Sequence, residues 1–156
     1  MESNDGQSKA EDEPDKYDVC IRFFGDDLDP NEVSQLLGSS PTGSERLGDL
    51  IPSRIRSRTA RTGSWRLATE QSSDEIEEQL VALFGRLTAD LAVWQSLTTP
   101  FEADIFCGVF HVYQSHHVVF SPRLHPLLAD RNLPLILDIY ASDRPNERQS
   151  FRIATS

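Results

Sequence analysis

The stretch Tyr17-Asp18-Val19-Cys20-Ile21-Arg22-Phe23-Phe24-Gly25-Asp26-Asp27-Leu28-Asp29-Pro30-Asn31-Glu32 places a strand and a helix start side by side. Val19, Ile21 and Phe23 alternate with Asp18, Cys20 and Arg22, the period of a strand with one buried face. Gly25-Asp26-Asp27 interrupts it. Asp29 can then accept from the free amides of a first helical turn. Pro30 suits that turn because its missing N–H is not needed there, and Glu32 completes a capping box. Val33, Leu36 and Leu37 give the helix an apolar face, and Gly38 is a C-terminal stop.

Outward from this unit, Ser39 to Thr62 is thin in apolar residues and reads as turns, with an edge strand near Ile51 to Arg58. Trp65 and Leu67 point to one face of the next strand, with Arg66 and Ala68 opposite. Ser72 to Glu75 repeats the capping-box pattern. Behind it Ile76, Leu80, Leu83, Phe84 and Leu87 fall on one helical side, leaving Glu77 and Glu78 toward water. Thr88 is placed to cap a further helix carrying Leu91, Trp94 and Leu97. Phe101 to Tyr113 reads as a long strand, with Ile105, Cys107 and Val109 on one face and Phe106 and Phe110 on the other. A turn at Gln114-Ser115 and a strand over His117 to Phe120 would complete a hairpin. Ser121-Pro122 opens a helix through Leu124, Leu127 and Leu128. Leu133 to Tyr140 closes the body as a strand whose apolar density implies burial on both faces. The aromatic residues Trp65, Trp94, Phe106, Phe110 and Tyr140 read mainly as core. This order implies an α+β two-layer sandwich, a mixed sheet of about five strands with helices mainly on one face. Asp29-Pro30 and Ser121-Pro122 at two strand-to-helix passages suggest an internal strand-helix-strand duplication.

The 156 residues match one domain with room for a core. With 38% apolar and 26% charged residues and a net charge of -10, the chain is neither a collagen nor a disulfide scaffold nor wholly disordered. The acidic balance argues against bulk nucleic-acid packaging, which needs a basic surface. Residues 1–16 are acidic and nearly free of apolar side chains, so a disordered tail is expected there. The single domain is expected over 17–141. Ser142 to Ser156 reads as a polar extension that Phe151 and Ile153 could pin to the body. The opening Met1-Glu2-Ser3-Asn4-Asp5 has no basic leader, and no apolar run approaches the roughly 20 residues a bilayer requires. A cytoplasmic location is expected. Cys20 and Cys107 lack metal-type spacing and read as buried free thiols.

Phe24-Gly25-Asp26-Asp27-Leu28-Asp29-Pro30 followed by Leu36-Leu37-Gly38 resembles the opening of a bacterial family designated domain of unknown function 4279. Pro41-Thr42, Gly48-Asp49, Trp65 and the closing Leu137-Asp138-Ile139-Tyr140 are similar to later signatures of that family, so the resemblance runs over residues 18–141. It implies a single-domain bacterial α+β protein and supplies no activity and no catalytic residues. The arginines between 54 and 61 exceed that general pattern.

Those arginines are the clearest electrostatic anomaly. Arg46, Arg54, Arg56, Arg58, Arg61 and Arg66 stand against one acid, Asp49, a local charge of +5 within a chain of -10. Guanidinium groups without lysine suit fork-shaped contacts to carboxylate or phosphate. On a strand, Arg54, Arg56 and Arg58 would share one face. One reading is an edge strand protected by charge, or internal pairing with Glu75, Glu77 and Glu78. A second is a docking edge for an acidic protein partner, with Arg54, Arg56, Arg58, Arg61 and Arg66 as contact residues. Phosphate or RNA contact is a smaller alternative.

Two further clusters carry chemistry of other kinds. Asp26, Asp27 and Asp29 could offer oxygen ligands to a cation, although Asp29 is better used as a cap and no calcium-loop pattern surrounds them. His111 and His117 could face each other across the expected hairpin, with His125 one element later, and with Asp104 form an acid–base or zinc site. The usual metal and nucleophile motifs are missing, so surface histidines are the plainer reading. The leading expectation is a soluble protein-interaction module of the immunity or regulatory kind, not an enzyme, needing no cofactor and contacting neither nucleic acid nor membrane. The alternative is a small enzyme or a metabolite- or metal-binding domain built on Asp26, Asp27, Asp104, His111 and His117.

Overall fold

The computed structural model describes residues 15–112 and 117–141, without the side chains of 111 and 112. The expected tail before residue 15, the extension over 142–156, the Gln114-Ser115 turn and His116 lie outside the described residues.

The elements run β1 (Lys16–Gly25), α1 (Pro30–Leu37), β2 (Gly43–Glu45), β3 (Leu50–Ile51), β4 (Arg58–Thr59), β5 (Gly63–Ala68), α2 (Ile76–Gly85), α3 (Leu91–Thr98), β6 (Glu102–Val112), α4 (Leu124–Ala129) and β7 (Leu135–Ala141). A five-stranded sheet has the order β2-β5-β1-β6-β7. Its neighbours are antiparallel except for the parallel pair β6 and β7. A separate ribbon joins β3 to β4. The expected α+β architecture with a mixed five-stranded sheet is therefore present; the internal duplication is not confirmed.

Alternation along β1 does what its sequence implies. Tyr17, Val19, Ile21 and Phe23 are buried on one face, where Trp65 and Leu67 of β5 and Ile105, Cys107 and Val109 of β6 join them. The helices supply Val33, Leu37, Ile76, Leu80, Leu83, Trp94, Leu97 and Leu124 to the same core. Each fully buried large apolar side chain stabilises the fold by about 1.5–3 kcal/mol. Edge-to-face contacts order the centre: the Phe23 and Trp65 rings lie 5.9 Å apart at 68°, and Phe84 and Trp94 6.0 Å apart at 69°.

The first helix is capped as its sequence requires. Asp29 Oδ1 accepts from the Asn31 amide at 2.9 Å. Gly38 closes the helix at φ 82°, a left-handed conformation that glycine adopts without a Cβ clash, and its N–H donates to Ser34 O. The other caps differ from expectation. Ser72 does not cap α2; its backbone bridges Tyr17, while Glu75 occupies the cap position without a side-chain bond. Asp90, not Thr88, caps α3 by accepting from the Ala92 amide at 3.0 Å.

Four strand expectations are corrected. The short polar run Gly43–Glu45, read as turn, pairs with β5 as a strand. Residues 51–58 do not form one edge strand: β3 and β4 each contribute two residues, and the chain turns between them. His117 to Phe120 is not a strand, so no hairpin follows β6. Val118 and Phe120 pack against the core instead, and the chain crosses through α4 to bring β7 parallel to β6. Parallel neighbours require such a crossover. β7 is then an edge strand, not one buried on both faces: Ile136, Leu137, Ile139 and Tyr140 are 39%, 37%, 59% and 50% exposed. Phe106 and Phe110 likewise sit half-buried on the outward face of the sheet rather than in the core.

Candidate functional site

The segment after β2 is a protruding ribbon. Its base is held by Gly48 N–H to Ala60 O at 2.9 Å and Ala60 N–H to Asp49 O at 2.8 Å. At its far end the Ser53 hydroxyl accepts from the amides of Ile55 and Arg56, both at 3.3 Å, and turns the chain. Arg54 and Arg56 therefore flank the tip instead of sharing a strand face with Arg58, which lies in β4. Ile55 between them is 98% exposed, and Leu50 and Leu47 behind it are 73% and 52% exposed.

The arginines divide into two groups. Arg46 Nη2 pairs with Asp29 Oδ1 at 2.7 Å, so Asp29 serves the helix cap and the ribbon at once. Arg58 and Arg66 both reach Glu45 Oε1, at 3.0 and 3.6 Å. The internal partners are thus Asp29 and Glu45, not Glu75, Glu77 or Glu78. Arg54, Arg56 and Arg61 are exposed, and no carboxylate of the described residues pairs with them.

Between ribbon and sheet lies a depression of about 630 Å³ lined by Phe24, Glu45, Arg58, Arg61, Ser64 and Arg66 among others. Phe24 also borders a larger groove of about 1090 Å³ that runs past Phe101, Asp104, Leu133 and Ile136. The outward face of the sheet connects the two. Arg22 grips Asp104 with two bonds, Nε to Oδ1 at 2.7 Å and Nη2 to Oδ2 at 2.8 Å. Its guanidinium carbon sits 4.4 Å from the Phe106 ring centroid and 5.2 Å from that of Phe24. Further along, Phe110 stacks on Tyr140 at 4.9 Å and 6°.

The residues of the alternative site are spread out. Asp26 and Asp27 are exposed in the turn after β1. Both oxygens of Asp104 are engaged by Arg22. His111 lies seven positions along β6 from Asp104, on the order of 23 Å of strand, and its side chain is outside the described residues. His117 is exposed at the start of the described segment 117–141. No group of three or more His, Cys, Asp or Glu placed to hold a metal ion occurs among the described residues. Cys20 pairs in register with Phe106 and Cys107 with Val19, which puts the thiols on opposite faces of the sheet. Burial pushes Cys20 up to about 11 and Cys107 up to about 12, so neither is a nucleophile near neutrality. No helix of the described residues is long and apolar enough to cross a membrane.

Sequence reasoning missed Phe24, Glu45 and Ser64. The alternation in β1 that buries Phe23 turns Phe24 outward, so that signal was present. For Glu45 there was none, because three residues are too few to display a strand period.

A family model described as a domain of unknown function (DUF4279) matches residues 15–142. No curated protein and no solved structure matches the chain.

Proposed function

Since the chain belongs to the DUF4279 family, whose description carries no activity, we propose from its geometry that it is a protein-interaction module that docks an acidic partner through the arginine ribbon. One observation carries this reading. Ile55 is 98% exposed at the ribbon tip, between two arginines that no carboxylate of the described residues pairs with. An apolar anchor ringed by guanidinium donors has the composition of an interface hot spot. Leu47 and Leu50 extend the apolar area, and Arg58, Arg61 and Arg66 continue the positive side toward the sheet. Asp29 and Glu45 offset part of the +5 that residues 46–66 carry, and the remaining positive charge of Arg54, Arg56 and Arg61 within a chain of -10 attracts a partner of opposite sign to this edge. The reading places the protein in the bacterial cytoplasm as a small regulator or immunity-type module.

Affinity capture from native extract with the full chain as bait identifies the partner, and titration then measures the affinity. Arg54→Ser/Ile55→Ser/Arg56→Ser is expected to weaken it at least about tenfold, with thermal stability kept because all three side chains are exposed. The wild-type complex is expected to loosen as salt rises. Equal affinity of variant and wild type would reject the ribbon as the docking edge.

A further inference from the structure

The depression beneath the ribbon has a composition that protein docking at the tip does not need. Its walls bring together three guanidinium groups, from Arg58 of β4, Arg61 of the following link and Arg66 of β5. Thr59, Thr62 and Ser64 also line it. The facing acceptor is Glu45, and a single oxygen of it serves both Arg58 and Arg66. Each guanidinium has five N–H donors, so most donors in the depression remain unused. Arg61 has no carboxylate partner among the described residues.

Ser64 gives an independent sign. It is 4% exposed, and its hydroxyl has no hydrogen-bond partner among the described residues. A buried hydroxyl left unsatisfied is unfavourable, and this one belongs to the wall of a cavity rich in positive charge. The remaining wall is the ring of Phe24, a flat apolar surface next to the charged groups. The volume of about 630 Å³ lies within the range that holds a small ligand.

We propose that this depression binds a phosphate monoester carried on a planar ring, a ligand of the mononucleotide class, with Arg58, Arg61 and the Ser64 hydroxyl on the phosphoryl oxygens and the ring against Phe24. A phosphoryl group presents three terminal oxygens and takes up the surplus of donors converging from successive positions. A carboxylate has two oxygens in one plane and would leave more of those donors unmatched. Glu45 stays as the brace that holds Arg58 and Arg66 in place, and its second oxygen can accept from an exocyclic amine. The inference goes beyond the docking reading and stands without it, because it uses the cavity and not the tip.

The test is a titration of the full chain with adenosine 5′-monophosphate, inorganic phosphate and adenosine, followed by calorimetry and by backbone amide shifts. Adenosine monophosphate is expected to bind at least about tenfold more tightly than phosphate, adenosine not at all up to about 1 mM, with shifts centred on residues 58–66. Arg61→Ser, an exposed position, is expected to lower that affinity at least about tenfold. Arg54→Ser/Arg56→Ser is expected to leave it unchanged, which separates this site from the docking tip. The proposal is overturned if adenosine monophosphate binds no better than phosphate, if Arg61→Ser binds it as the wild type does, or if no shift appears at residues 58–66.

Discussion

Arg131 is a buried cation without a carboxylate bonded to it among the described residues. It is 7% exposed, with its guanidinium carbon 4.9 Å from the Phe84 ring centroid and 5.4 Å from that of Trp94. Its Nη1 donates to Leu127 O at 3.2 Å, while its Nε finds no partner. Desolvation lowers its pKa, the direction expected of a charge held by ring faces rather than by a counter-ion. Arg131→Met keeps most of the stem packing and removes the desolvated charge, so urea denaturation should show stability unchanged or raised. Arg131→Glu places a negative charge on the negative faces of the same rings and should cost upward of about 3 kcal/mol. Nothing in the sequence distinguishes this arginine from those on the surface. Gln79 is similar: it sits at a polar-looking helix position yet is 6% exposed. It donates to Tyr17 O at 3.0 Å and to Asp74 O at 2.7 Å and accepts from the Thr69 hydroxyl, tying α2 to β1 and the intervening loop.

At the scale of elements, α2 and the segment leading into α4 are joined by Glu77. Its carboxylate accepts from the Ser121 amide at 2.6 Å, the Ser121 hydroxyl at 2.9 Å and Arg123 Nε at 3.0 Å. Desolvation raises its pKa, but these bonds outweigh that and hold it below the ordinary glutamate value. A depressed folded-state pKa contributes stability that is present above the unfolded value near 4.3 and lost as pH falls through the folded one. The stability difference between wild type and Glu77→Gln should therefore be constant above about pH 5 and shrink steadily below about pH 4. A difference that stayed flat to pH 3 would remove Glu77 as the tie. The sequence pattern placed Glu77 toward water because helical periodicity reports the core side alone; it carries no information about a distant loop that returns to meet the helix.

The same limit explains which elements were legible. β1, α1, β5, β6 and the inward faces of α2 and α3 could be read because each has enough residues to repeat its period and a cap or glycine to end it. The two-residue strands of the ribbon and the three-residue β2 show no period at all. β7 is legible as a strand, but its apolar density implies burial on both faces where the fold leaves it half exposed, since an apolar run says that a strand can be buried and not that anything covers it. The arginine cluster was visible as composition; its division into braced and unpaired members depended on Asp29 and Glu45, which lie outside the cluster and reach it only through the folded sheet.

At the scale of the molecule, β7 is the last strand of the sheet among the described residues, with Asp138 as its one charge among apolar side chains. Unprotected edges of this kind pair with other chains. Ile139→Lys should leave thermal stability within about 1 kcal/mol, since the side chain is 59% exposed, and should reduce concentration-dependent association of the full chain measured by light scattering. Undiminished association in the variant would show that the edge is not responsible. With the ribbon segment from 46 to 66 at +5 and the whole chain at -10, the rest carries -15, so charge is strongly segregated along the sequence.

The parallel pairing of β6 with β7 has a consequence for synthesis. All residues between Val112 and Leu135 must leave the ribosome before the pair can form. At about 5–20 residues per second that delay is about one to five seconds, long compared with helix or hairpin formation. During that interval the nascent protein exposes one margin of its longest strand, Glu102–Val112, and there a chaperone would gain its most extended foothold.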